Sequence, residues 1–162
     1  MEGIDMDMNT KSLKKNAFRV TKERGITASR VRIPGGRMEA KYLSLIQEIA
    51  DTYGNGTVHI TVRQGFEILG IPFDKIDEVN KLLQPIIEGM GINQQNEGSG
   101  YSAAGTRNIT ACVGNTVCPY ACYDTTAFAK KMEVAIFPND LHFKVAFTGC
   151  SNDCGKVRMH DF

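Results

Sequence analysis

The sequence predicts an α+β fold in two parts: a βαββα unit over residues 26–90, then a smaller α/β segment. Three observations predict it. Several short stretches are β-branched and alternate apolar with polar residues, the period of a half-buried strand. Two longer stretches repeat their apolar residues every three or four positions, the period of an amphipathic helix. All five cysteines lie between Cys112 and Cys154, so the chemistry-bearing part of the chain is its last third.

The elements follow in order. Residues 1 to about 20 are polar and are expected to be frayed or weakly helical. Ile26 to Ile33 alternates and reads as a strand, ended by the turn Pro34-Gly35-Gly36. Met38 to Tyr53 has apolar residues at Tyr42, Leu45, Ile46, Ile49 and Ala50 and reads as a helix stopped at Gly54-Asn55-Gly56. Thr57 to Val62 and Phe66 to Ile71 read as strands joined by Arg63-Gln64-Gly65. Phe73 to Met90 reads as a second helix, with Asp74 a candidate N-cap and Pro85 a candidate kink. This order is a split β-α-β of the ferredoxin-like kind. A Gly-, Asn-, Gln- and Ser-rich stretch then reads as a linker. Beyond it come a strand (Asn108 to Cys112), a helix (Thr125 to Val134), a strand (Phe143 to Phe147) and a closing loop.

Composition excludes several classes. The chain has 162 residues, 42% hydrophobic and 23% charged, which is globular rather than disordered or collagenous. Nineteen basic residues against 18 acidic leave a net charge of +1, so no bulk charge favours nucleic acid or anionic membrane. No apolar run is long enough to span a bilayer, and the first residues lack an apolar signal core. The expected location is cytoplasmic.

Cys112 and Cys118 are separated by five residues, Cys150 and Cys154 by three. Each pair follows a predicted strand, so both loops open on the same edge of a sheet. Outside a secretory context such cysteines read as metal ligands or reactive thiols rather than disulfides. Converging thiolates suit a soft metal or an iron–sulfur cluster. Zinc favours tighter spacing, yet a zinc site and plain buried thiols stay open as readings. Cys122 has no partner at a useful spacing and reads as a packing residue.

The same cysteine pattern, together with VRIPGG (31–36), HITVRQGFEILGI (59–71), GTRNITAC (105–112) and TGCSNDCGK (148–156), resembles the siroheme-dependent nitrite and sulfite reductases. The local wording is closest to the family's anaerobic sulfite reductases. The resemblance implies a polar extension (1–20), a ferredoxin-like half-domain (21–92), a linker (93–104) and part of a siroheme- and [4Fe–4S]-binding domain (105–162). It implies a [4Fe–4S] cluster on Cys112, Cys118, Cys150 and Cys154, with Cys154 also bridging to the siroheme iron. It implies six-electron reduction of sulfite to sulfide, with electrons from donor subunits or a ferredoxin-like protein.

Residue by residue, the resemblance places siroheme contacts on Arg63, Gln64 and Asn108. It places substrate cations on Arg32, Arg107 and Lys144, with His142 where the family more often has lysine. His59 and His160 read as structural, and Arg30 and Arg37 receive no role. Family members run longer, so the chain reads as an N-terminal portion without activity of its own. The alternatives are a nitrite reductase of the same family and a small iron–sulfur or zinc module without catalysis. The four cations Arg32, Arg63, Arg107 and Lys144 argue against the module, because a bare cluster carrier has no need of them.

Overall fold

A computed structural model describes residues 13, 17–92, 105–139 and 141–162. The expected linker at 93–104 and most of the expected N-terminal extension lie outside the described residues. Four antiparallel strands, β1 (Phe18–Val20), β2 (Ile26–Val31), β3 (Val58–Ile60) and β4 (Phe66–Pro72), form a sheet in the order β1-β2-β4-β3. Helices α1 (Tyr42–Thr52) and α2 (Ile76–Met90) complete the ferredoxin-like half-domain.

The core of this unit joins Val31 of β2, Phe66, Ile68 and Ile71 of β4, Ile46 and Ile49 of α1, and Val79, Leu83, Ile86 and Ile87 of α2. Burial of each such side chain contributes about 1.5–3 kcal/mol. Period two along β4 sends Phe66 and Ile68 into this core and Glu67 to the opposite face. There Glu67 accepts from Arg19 Nη1 (3.0 Å) and Arg30 Nε (2.7 Å), cations on β1 and β2.

The structure corrects the expected N-terminus. Phe18–Val20 is a strand, because Phe18 is fully buried and the segment pairs with β2. One aromatic among polar neighbours gives no periodicity to read. Asp74 caps nothing with its side chain; it lies in a 3₁₀ turn (Phe73–Lys75) that leads into α2. Pro85 sits inside α2, which continues to Met90 and ends on Gly91 at φ 66°. Helix α1 begins at Tyr42, after a turn in which Tyr42 N donates to Glu39 O (3.2 Å).

The second segment is built on β5 (Thr110–Ala111) and β6 (Ala146–Phe147), a parallel pair, with helix α3 (Thr125–Ile136) between them. The two chain stretches run together beyond the regular pairing. Arg107 N donates to Phe143 O (2.8 Å), Thr110 N to Val145 O (3.2 Å) and Cys112 N to Phe147 O (3.0 Å). Asp124 caps α3, its carboxylate accepting from the Thr126 and Ala127 N–H groups. Helix α3 lies against the 3₁₀ turn Pro34–Gly36. A Cβ at Gly35, whose φ is 72°, would stand 3.0 Å from Thr126 Cα. Among the described residues, no helix is long and apolar enough to cross a membrane.

Candidate active site

The site forms along the seam between the two segments, and the seam is polar. The loop Thr61–Gly65 is a tight turn: Thr61 N donates to Gly65 O (2.8 Å) and Gln64 N to Thr61 O (3.0 Å). Gln64 takes the left-handed region (φ 64°), which turns its side chain towards β5. Its Nε2 donates to Ala111 O (2.7 Å) and its Oε1 accepts from Ala111 N (2.8 Å). Thr110 N and Cys112 N face β6, so Ala111 presents its groups on the other side and Gln64 pairs them as a neighbouring strand would. Asn108 Nδ2 donates to Ile33 O (3.0 Å) and Arg63 O (2.6 Å), and Arg63 Nη2 donates to Asn108 O (2.6 Å). Both acceptors of the Asn108 amide are carbonyls, which fixes which end is nitrogen.

Above this seam lies a cavity of about 310 Å³ whose wall includes Arg30, Arg63, Arg107, Asn108 and Thr61. Two atoms of its lining residues, Arg63 Nε and Asn108 Oδ1, are buried away from it without a partner. Burial holds the Arg63 guanidinium below its ordinary pKa, and repulsion from Arg32 and Arg107 adds to it. Arg107 is lowered likewise, by burial and then by Arg30 and Arg32. The cavity wall concentrates guanidinium groups, an environment in which an anion can be held.

The structure redistributes the expected cations. Arg32 also lies at the cavity, but its guanidinium is turned to Glu133 of α3, with Nε–Oε1 at 2.6 Å and Nη2–Oε2 at 2.9 Å. Arg30, which sequence reasoning passed over, stands in the wall beside Arg63 and Arg107. His142 is exposed, and its Nε2 accepts from Arg107 Nε (3.1 Å). Lys144 is outside the cavity wall. Its backbone N–H donates to Asp161 Oδ2 (2.9 Å) and its O accepts from Asp161 N (3.0 Å). His160 is held by the Lys156 carbonyl (2.8 Å), and His59 is exposed on β3.

The two cysteine loops meet through their backbones. Gly149 N donates to Cys112 Sγ (3.2 Å) and Cys122 N donates to Gly149 O (2.9 Å). A Cβ at Gly149 would stand 2.6 Å from Ala121 Cβ, so glycine is what lets the loops close. Burial pushes the Cys112 thiol up, but hydrogen bonds from Thr125, the Gly114 and Gly149 amides and Thr148 outweigh it and hold the pKa below the usual value. The Thr125 hydroxyl lies closer to Cys112 O (2.6 Å) than to Sγ (3.5 Å), so the two amides are the steadier donors. Such a thiolate environment is what a cluster ligand requires. All five cysteines are free, and Cys122 is exposed rather than packed. Among the described residues, no three His, Cys, Asp or Glu side chains gather closely enough to hold a metal ion. The loops themselves are brought together.

Fold and motifs define a class. Residues 19–86 match the nitrite/sulfite reductase ferredoxin-like half domain, and residues 102–162 match the nitrite and sulphite reductase 4Fe-4S domain. The chain belongs to the nitrite/sulfite reductase family. Within that family it is 40% identical over 163 residues to the C subunit of the anaerobic sulfite reductase of Salmonella typhimurium, a match covering 98% of this chain and 48% of that protein. It is 27% identical over 145 residues to the chloroplastic ferredoxin–nitrite reductase of Zea mays, covering 86% of this chain and 24% of that one. The chain thus spans about half the length of the Salmonella protein and less of the plant enzyme. The fold is shared with dissimilatory sulfite reductase I (TM-score 0.59, 22% identity, 80% of this chain and 30% of that one). It is also shared with the Mycobacterium tuberculosis NirA protein (TM-score 0.65, 15% identity, 84% and 28%).

Proposed function

We propose that this chain carries the anion-binding wall of a sulfite reductase that converts sulfite to sulfide, with siroheme and a [4Fe–4S] cluster as its resident groups. One observation carries the reading. Arg30, Arg63 and Arg107 share the wall of one cavity. Burial and repulsion from neighbouring arginines hold the Arg63 and Arg107 guanidinium groups below their ordinary pKa, and an anion in the cavity offsets that repulsion. Siroheme is rimmed with carboxylates and sulfite is an oxyanion, so both present the acceptors that guanidinium groups match.

Cys112, Cys118, Cys150 and Cys154 would hold the cluster, and Cys154 would serve the siroheme as well. When bound, these groups supply the electrons and the iron at which sulfite is reduced. The chain's own residues supply position and charge. Arg63 would pair with a siroheme carboxylate. Gln64 fixes Ala111, and through it the first cluster ligand, Cys112. Arg30 takes the place that the resemblance gave to Arg32, and with Arg107 it holds the substrate oxygens. Each S–O bond that breaks sends an oxygen away as water, which needs protons. His142, exposed and accepting from Arg107 Nε, stands beside that cation and would relay them through its other ring nitrogen. Electrons arrive from a ferredoxin-like donor or partner subunits. Nitrite suits the same cations, and the similarity to a nitrite reductase makes it the substrate to run beside sulfite.

The test is a visible absorption spectrum of the full-length protein purified without oxygen, followed by sulfide formation with a reduced donor. Macrocycle bands with iron and labile sulfide are expected. A zinc-only protein, or a cluster without macrocycle bands, sinks the reading.

A further inference from the structure

We propose that Arg32 and Glu133 form a positioning pair whose task is to hold Arg107 over the cavity; this rests on the anion-site reading above. The pair is the most deeply buried ion pair among the described residues, its side chains 5% and 1% exposed. Arg32 has two further acceptors, and both are backbone carbonyls of the segment that carries Arg107. Nη1 donates to Thr106 O (2.7 Å) and Nη2 to Arg107 O (3.2 Å). The guanidinium also lies over the Phe137 ring, 3.9 Å from its centroid. On its other side the Arg107 backbone donates to Phe143 O (2.8 Å). The peptide groups flanking Arg107 are therefore held from both directions, and its guanidinium projects from a fixed base.

Only a planar fork makes this pattern. Nε and Nη2 take the carboxylate bidentately while the remaining N–H groups reach the two carbonyls. A lysine keeps the charge but cannot span Glu133 and both carbonyls. In Glu133→Gln the new side-chain amide presents an N–H₂ where the arginine also donates. Glu133 further balances the Arg32 charge, which otherwise adds to the repulsion already felt by Arg63 and Arg107. Arg32 touches no substrate in this scheme; it acts through Arg107.

The experiment compares Arg32→Lys, Glu133→Gln and the apolar double replacement Arg32→Met/Glu133→Leu in the full-length protein. Readouts are the sulfite KM and kcat separately, thermal midpoint, and hydrogen exchange of the 106–108 amides. The double replacement is the control for stability, because well-packed apolar residues restore folding where a broken buried pair does not. Expected are a KM raised about tenfold or more with kcat much less changed, since displacement of a positioning group by about 1 Å costs as much as 100-fold. Faster exchange at 106–108 is expected in all three variants, including the double variant with a near-normal thermal midpoint. A double variant with wild-type KM and wild-type exchange overturns the proposal and leaves the pair a stability element. If the wild-type protein reduces no oxyanion, the cavity reading fails instead. The exchange data alone then decide whether Arg32 orders the Arg107 segment.

Discussion

Gln64→Ala isolates what the tight turn before β4 does for the cysteine loop. The side chain makes two hydrogen bonds to Ala111, 2.7 and 2.8 Å long, and Ala111 is 2% exposed. Truncation orphans one buried N–H and one buried C=O, at about 1–3 kcal/mol each. A second cavity of about 390 Å³ borders both Gln64 and Ala111, so water reaches the vacated groups and the low end applies. The expected loss is therefore about 2 kcal/mol, one for each orphaned group. A second variant separates the clamp from the backbone. Gln64 sits at φ 64°, a conformation that costs a side-chain-bearing residue roughly 1–2 kcal/mol and glycine almost nothing. Gln64→Gly loses the same clamp but relieves that strain, so it should be less destabilised than Gln64→Ala by about 1 kcal/mol. Urea unfolding of the full chain, followed by circular dichroism, gives both differences. Wild-type stability in Gln64→Ala would refute the clamp. Equal stability of the two variants would refute the strain.

Three further outcomes follow from the same contacts. Burial raises the Glu67 carboxyl, but Arg30 and Arg19 outweigh it and hold the pKa below its ordinary 4.5. A lowered folded pKa means that the carboxylate stabilises fully above the unfolded value and that this contribution fades as pH falls through the folded one. Glu67→Gln should therefore flatten the acid limb of the stability–pH curve below about 4.5, and an unchanged acid limb counts against the ion pairs. Serine at Cys112, Cys118, Cys150 or Cys154 should strip cluster iron from the full-length protein, whereas Cys122→Ser should keep it. Iron content per chain decides, and equal loss at Cys122 breaks the ligand assignment. Gly35→Ala and Gly25→Ala both place a side chain at positive φ, each costing roughly 1–2 kcal/mol. Only Gly35 also meets a neighbouring backbone, at 3.0 Å, while Gly25 has nothing within 4 Å. The Gly35 variant should have the lower unfolding midpoint, and the reverse order would mean that α3 does not seat on the Pro34–Gly36 turn.

The half-domain was legible because its signals are local. Period two in β2 and β4, helical spacing in α1 and α2 and the Gly54-Asn55-Gly56 stop agree with one another. Strand β1 was not legible, because it exists only by pairing with β2 and by burying one ring, Phe18. Gln64 and Asn108, expected to touch siroheme, place their amides on the backbones of Ala111, Ile33 and Arg63.

Arg30 and Arg32 show most clearly where local reasoning ends. They stand two residues apart, carry the same charge and flank the same core residue, Val31. What separates them is the carboxylate each one meets. Register sets Glu67 of β4 opposite Arg30, where that face opens on the cavity. Strand β2 ends at Val31, and the chain beyond carries Arg32 to Glu133, 101 residues further on. A signal for the second pairing was nonetheless present. Thr125, Ala129 and Glu133 follow at steps of four along α3, so Glu133 stands on the buried stripe of the helix. A carboxylate on that stripe demands a buried cation. The stripe also packs against the Pro34–Gly36 turn, separated from Arg32 by one residue, so closely that a Cβ at Gly35 would stand 3.0 Å from Thr126 Cα. The pairing was therefore written in the helix that receives the arginine rather than in the motif that carries it.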